Sequence, residues 1–233
     1  MKRCIYCLNE CSDAEKACPL CGFGGNAETV YENSLPIGTR LNKRYIVGGV
    51  CSKGRIFTTY YAFDVQEHQR VKISEYLHEK LIYRLPGELI IKYNDEACRA
   101  RGDKEISAYY AHYLKLCAVS KTSVLEFTDC FAENSTFYYV CSISNGAPLS
   151  SLIGNRKTMA FSKAVSLLMP VIDCSQKLSK YDKWHGNISP YSIITANGKI
   201  TSLTGYSYPT KSKNSPYDAP EKQFGTKHCG AFT

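Results

Sequence analysis

Apolar and polar positions along the chain follow two periods. Tyr45–Cys51 and Ile56–Phe63 are β-branched and aromatic runs split by a short polar turn, which predicts an antiparallel hairpin. Val71–Tyr76, VKISEY, reads as a third strand, and its alternation projects Lys72 and Ser74 from one face. Glu88–Lys92 is a weaker strand candidate. The period then changes. Ile106, Tyr109, Tyr110, Tyr113 and Leu114 recur at helical spacing and predict a helix from about Asp95 to Cys117. Val124–Ala132 and Thr136–Ile143 return to strand character around Glu133-Asn134-Ser135. Gly146 and Leu149 lead into a short helix. Ser162–Lys180 carries an apolar stripe through Val165, Leu168, Met169, Ile172 and Leu178 that reads as core, with Pro170 expected to kink it. Asn197-Gly198 is a two-residue hairpin signal joining Ser192–Thr195 to Lys199–Leu203.

The first 25 residues belong to neither pattern. Cys4 and Cys7, then Cys18 and Cys21, form two C-x-x-C pairs separated by ten residues, and Gly22 permits the tight second knuckle. Each pair turns sharply enough to aim two thiolates at one tetrahedral zinc, and the segment resembles a zinc ribbon. Four thiolates leave no open coordination position, so the zinc is expected to be structural. It would supply most of the folding free energy of a segment too short for its own core. Cys11 is a spare thiol. From Gly24 to about Pro36 the text turns polar and loses periodicity, as a linker does.

A hydrophobic fraction of 44% argues against disorder, and 233 residues suffice for one or two cores. The net charge of +8 contains no run of five Lys or Arg, so it reads as a solvated basic surface. Within the ribbon, Lys2, Arg3 and Lys16 cancel Glu10, Asp13 and Glu15, which makes it a poor nucleic-acid binder. No apolar segment approaches a membrane span, and the N-terminus lacks a signal core. The cysteines outside the metal pattern stand singly in apolar runs, so a reducing cytoplasm is expected.

His185 to Thr195, HGNISPYSIIT, resembles the catalytic loop of Ser/Thr protein kinases, H-R-D-x-x-P-x-N, in the HRDISPDNI form of bacterial members. His185, Ile188, Ser189, Pro190 and Ile193 match. The stretch from Leu35 to Asp64 resembles the first hairpin of that family, and Ala219-Pro220-Glu221 matches its Ala-Pro-Glu. The resemblance implies a kinase-like two-lobed fold, but the positions that carry chemistry differ. Asn187 replaces the aspartate that accepts the substrate proton, and Ser192 replaces an asparagine on the second magnesium. Leu203-Thr204-Gly205 stands for Asp-Phe-Gly, so the first metal carboxylate is missing. Ser74 occupies the position of the phosphate-pairing lysine, and Glu105 aligns with its helix partner. Only Gly54 survives in the glycine-rich turn. Lys72, or Lys53 beside Gly54, is the candidate substitute for the lost lysine.

The expected fold is α+β, a small four-Cys zinc ribbon followed by a protein kinase-like two-lobed fold with an incomplete C-terminal lobe. The boundaries are a ribbon at 1–25, a linker at 26–36, an N-lobe at 37–143 and a partial C-lobe at 144–233. The short segment after Ala-Pro-Glu implies that Leu167, Leu168, Val171 and Ile172 include partly exposed side chains. The expected function is a catalytically impaired kinase-like binding or scaffolding module whose partner is another protein, with zinc and without ATP. The alternatives are a divergent kinase using a displaced lysine, and a nucleic-acid-binding ribbon.

Overall fold

The computed structural model describes residues 2–24, 32–154 and 160–206. The Ala-Pro-Glu match, the segment around it and part of the expected linker lie outside the described residues. The chain divides into two compact units, Met1–Leu114 with Phe127–Ile143, and Lys115–Glu126 with Ser144–Thr233. Among the described residues no helix is long and apolar enough to cross a membrane.

The first unit begins with a two-stranded ladder, β1 (Lys2–Arg3) and β2 (Glu10–Cys11). A six-stranded antiparallel sheet follows, built from β3 (Arg40–Leu41), β4 (Tyr45–Lys53), β5 (Phe57–Asp64) and β6 (Gln69–Tyr76). After a small ladder of β7 (Ile82–Tyr83) and β8 (Lys92–Tyr93) comes α1 (Glu96–Ser120). The sheet is completed by β9 (Phe127–Glu133) and β10 (Thr136–Ser142), in the order β3-β4-β5-β6-β10-β9.

Strict alternation along β5 sorts the sheet's two faces. Tyr60 and Ala62 join Tyr45, Val47, Val71, Ile73, Tyr138 and Val140 in a buried apolar core on one face. Phe57 turns to the other, where its ring meets Tyr109 and Tyr113 of α1 at 5.4 and 5.8 Å and Tyr139 at 5.4 Å. Tyr113 and Tyr139 stack at 4.0 Å. These edge-to-face and offset contacts suit the quadrupoles of the rings.

An ion pair is sealed inside this unit. The Glu75 carboxylate receives both Arg84 Nη1 at 3.1 Å and Arg84 Nη2, along with the Tyr60 and Tyr138 hydroxyls at 2.8 Å each. Arg84 also reaches the Asn33 carbonyl at 2.9 Å, and the Leu35 amide donates to Tyr60 Oη at 3.1 Å. The last residues of the expected linker are therefore fastened to the sheet.

In the second unit, β11 (Ala147–Pro148), α2 (Leu149–Gly154) and α3 (Phe161–Ser179) precede a hairpin of β12 (Ile193–Ala196) and β13 (Lys199–Leu203). The three strands form one sheet in the order β11-β12-β13. Asn197 and Gly198 take φ of 51° and 75°, the left-handed pair that the two-residue turn requires.

Four sequence expectations need correction. The strand expected at Glu88–Lys92 is displaced, since only Lys92 and Tyr93 pair, with Tyr83 and Ile82. Strand β9 starts at Phe127 rather than Val124, because the Val124 carbonyl accepts from the Leu203 amide at 2.6 Å and Leu125 bridges Leu203. Helix α1 runs past the expected end at Cys117 to Ser120, and its buried face passes through Tyr109, His112, Tyr113 and Leu116. On α3 the buried residues are Val171, Cys174 and Leu178. Val165, Met169 and Ile172 of the presumed core stripe are exposed. The helix continues through Pro170.

Candidate functional site

The four cysteines are brought together by two similar turns. The Cys4 amide donates to the Asn9 carbonyl and the Leu8 amide to the Cys4 carbonyl, both at 2.9 Å, wrapping the first knuckle. In the second, the Gly22 amide donates to the Cys18 carbonyl at 2.8 Å, with Gly22 at φ 72°. Glycine adopts this left-handed conformation without strain, whereas Leu8, at the equivalent position of the first knuckle, takes φ 59° with a side chain. All four sulfurs lie within 4.8 Å of one another, with Cys4 to Cys21 at 3.7 Å and Cys7 to Cys18 at 3.6 Å. Tetrahedral zinc with bonds of about 2.3 Å sets its sulfurs about 3.8 Å apart, so the donor set fits the ion. Burial raises the Cys7 thiol well above its ordinary range. Burial opposes ionisation at Cys18 as well, but the amides of Cys21 and Leu20 outweigh it and lower this thiol to about 7. Cys11 is buried beside the cluster, its thiol 3.7 Å from the Lys2 carbonyl, outside the set of four.

The register of β5 and β6 places Ser74 opposite Thr59 and Lys72 opposite Tyr61. Ser74 is buried, and its Oγ lies 2.8 Å from Thr59 Oγ1. Lys72 is exposed on the same face. Lys53 is exposed at the end of β4, and its Nζ donates to the Glu32 carbonyl at 3.2 Å. The Gly54 amide donates to the Phe57 carbonyl at 2.8 Å, closing the turn upon itself. Glu105 accepts from the Tyr76 hydroxyl and from Arg101 Nε, each at 2.8 Å. Burial works against its ionisation, yet those two donors hold the carboxyl below its usual range. The acid aligned with a lysine partner is thus satisfied by a tyrosine and an arginine.

In the second unit the loop from His185 is pinned by its own side chains. Ser192 Oγ donates toward the Asn187 carbonyl at 2.7 Å and accepts from the Ser189 amide at 2.9 Å. Asn187 Nδ2 donates to the Gly205 carbonyl at 3.1 Å. Leu203 is fully buried. The Gly205 amide donates to Glu126 Oε1 at 3.0 Å, a carboxylate that no pattern in the sequence singled out. His185 is buried, and neither ring nitrogen has a hydrogen-bond partner among the described residues. Asn187, Ser192 and Leu203 serve as internal ties and packing.

Sequence reading also missed how the ribbon is seated. The Gly49 amide donates to the Tyr6 carbonyl at 2.7 Å, and the Tyr6 hydroxyl donates to the Val50 carbonyl at 2.9 Å. Arg70 Nε reaches the Cys7 carbonyl at 3.0 Å, and the Arg3 guanidinium lies 3.7 Å over the Phe63 ring. The ribbon is packed on the sheet. The signal was the pair Gly48-Gly49 inside a strand, which marks a close backbone approach.

No family model matches the chain, and no curated protein matches it. Among solved structures, the one titled "PpkA-294 apo form" is similar with a TM-score of 0.54 and 22% identity. The match covers 75% of this chain and 62% of that one. At that identity the likeness concerns the fold, which is kinase-like.

Proposed function

We propose that the chain is a catalytically impaired, kinase-like (pseudokinase) module that binds or scaffolds another protein, with a structural zinc in its ribbon. One observation carries this reading. At the position of the phosphate-pairing lysine, Ser74 is buried in a neutral hydroxyl pair with Thr59. Phosphoryl transfer depends on positioning and charge neutralisation by cations, and this pair supplies no charge. The other degenerate positions support the same reading. Asn187 and Ser192 spend their polar atoms on backbone groups within their loop and at Gly205, and Leu203 offers only an alkyl group. An amide at position 187 is no general base near neutral pH.

The zinc would be held by Cys4, Cys7, Cys18 and Cys21, and its role is to fold the ribbon. The ribbon's basic groups favour a structural use over nucleic-acid binding. Lys2 Nζ donates to the Glu15 carbonyl at 3.0 Å, and Arg3 is committed to Glu10 at 2.8 Å and to the Phe63 ring. The competing enzymatic reading rests on Lys72, exposed on the face that bears Ser74, or on Lys53, exposed at the end of β4. A radiolabelled phosphoryl-transfer assay with the zinc-loaded protein and magnesium separates the two. We expect no transfer to the protein itself or to a generic substrate. Turnover abolished by Lys72→Ala or by Lys53→Ala would establish the displaced-lysine kinase.

A further inference from the structure

The metal knuckle and the docking knuckle are the same stretch of chain. Tyr6 lies between the ligands Cys4 and Cys7, and every polar bond described above between ribbon and sheet uses Tyr6 or Cys7. A further one joins Arg70 Nη1 to Asn9 Oδ1 at 3.4 Å. On the sheet side the seat is a break in the ladder. The β4–β5 register shifts between Val47 and Val50, and the intervening glycines give Tyr6 its room. A Cβ on Gly49 would stand 2.2 Å from the Tyr6 ring, and one on Gly48 would stand 2.3 Å from the Tyr6 carbonyl oxygen. The Tyr6 ring also stacks on Phe23, two residues past Cys21, at 5.2 Å. Both knuckles therefore shape the docked surface.

We propose that metal loading of the four cysteines and docking of the ribbon at Gly48-Gly49 are one linked event, so that the metal keeps this sheet face closed and its loss uncovers it. The inference rests on the four-thiolate site of the preceding section. Without metal the ribbon has little apolar core of its own, and nothing fixes the Tyr6 carbonyl at the Gly49 amide. The coupling is reciprocal, because a seat that binds only the folded knuckle must raise metal affinity by the factor by which metal favours docking. The uncovered face carries Tyr61 and Phe63 in register with Lys72 and Arg70, an aromatic and basic surface. It is the face that bears Ser74.

The test is hydrogen exchange on the full chain, zinc-loaded and after chelation. The Gly49 amide should lose protection when zinc leaves, while Ile73, in the core on the opposite face, keeps it. Unchanged Gly49 protection after verified zinc removal would overturn the linkage, as would rapid Gly49 exchange in the loaded protein. The reciprocal arm is zinc competition with a chromophoric chelator. Gly49→Ala, which sets a methyl into the Tyr6 ring, should weaken zinc retention on the order of tenfold. Arg70→Ala, which adds no bulk to the sheet, should weaken it in the same direction by a smaller factor. Wild-type retention in both variants sinks the proposal. A chain that takes up no zinc removes the four-thiolate reading itself, whereas zinc uptake without coupling removes only this inference.

Discussion

Ser74 Oγ and Thr59 Oγ1 lie 2.8 Å apart across β5 and β6, a closed hydroxyl pair where the kinase resemblance places an ammonium. Glu105 is occupied by Tyr76 and Arg101, so a lysine placed at position 74 would find that carboxylate already engaged. Ser74→Lys should therefore destabilise the unit by about 1–3 kcal/mol through overpacking, with more to come if the charge stays buried. Urea unfolding of the two proteins measures it. Undiminished stability together with nucleotide binding would show that the lysine site is intact in all but its residue.

One zinc per chain is expected from the fit of the four sulfurs to a tetrahedral ion. Elemental analysis of Cys4→Ser should show the metal lost or sharply reduced. Cys11→Ser should keep it, because the Cys11 thiol is turned to the Lys2 carbonyl.

The Glu75–Arg84 pair is almost fully shut from solvent, with side-chain exposures of 0% and 1%. Removing one charge leaves the other buried and unpaired, which costs about 3–5 kcal/mol. Glu75→Gln should fall in that range in denaturant unfolding. Tyr60→Phe, which deletes one neutral donor and takes the acceptor from the Leu35 amide, should cost less, about 1–3 kcal/mol. Similar small losses for both would mean that water reaches the pair.

Burial lowers the His185 pKa to about 4, below the ordinary value of about 6.5. The unfolded chain then takes up the proton first as pH falls. Stability is full above about pH 6.5 and declines through the window down to about 4, by up to roughly 3 kcal/mol. His185→Phe should flatten that slope in unfolding midpoints measured across the window. A slope unchanged by the substitution would assign the titration to other groups.

Local chemistry made most of the fold legible. The alternation of Phe57–Asp64, the left-handed pair at Asn197-Gly198 and the two C-x-x-C turns each depend on residues a few positions apart. The seat of Tyr6 on Gly49 does not, since it joins segments forty-three residues apart through backbone groups that any sequence carries. The stripe on α3 misled for a related reason. Apolar spacing identifies a helix face, but whether that face is covered depends on the rest of the fold, and Met169 and Ile172 are exposed. The degenerate positions were legible as substitutions. Their new partners, such as Tyr76 for Glu105 and Gly205 for Asn187, were not, because each is a tertiary contact.

Calorimetric titration of the zinc-loaded chain with Mg-ATP tests the central claim most directly. With a neutral Ser74–Thr59 pair, a self-closed Gly54 turn and no carboxylate at position 203, we predict no heat of binding at millimolar nucleotide. A saturable Mg-ATP complex of millimolar or tighter affinity, abolished by Lys72→Ala or Lys53→Ala, would contradict the account and return the chain to the nucleotide-dependent kinases.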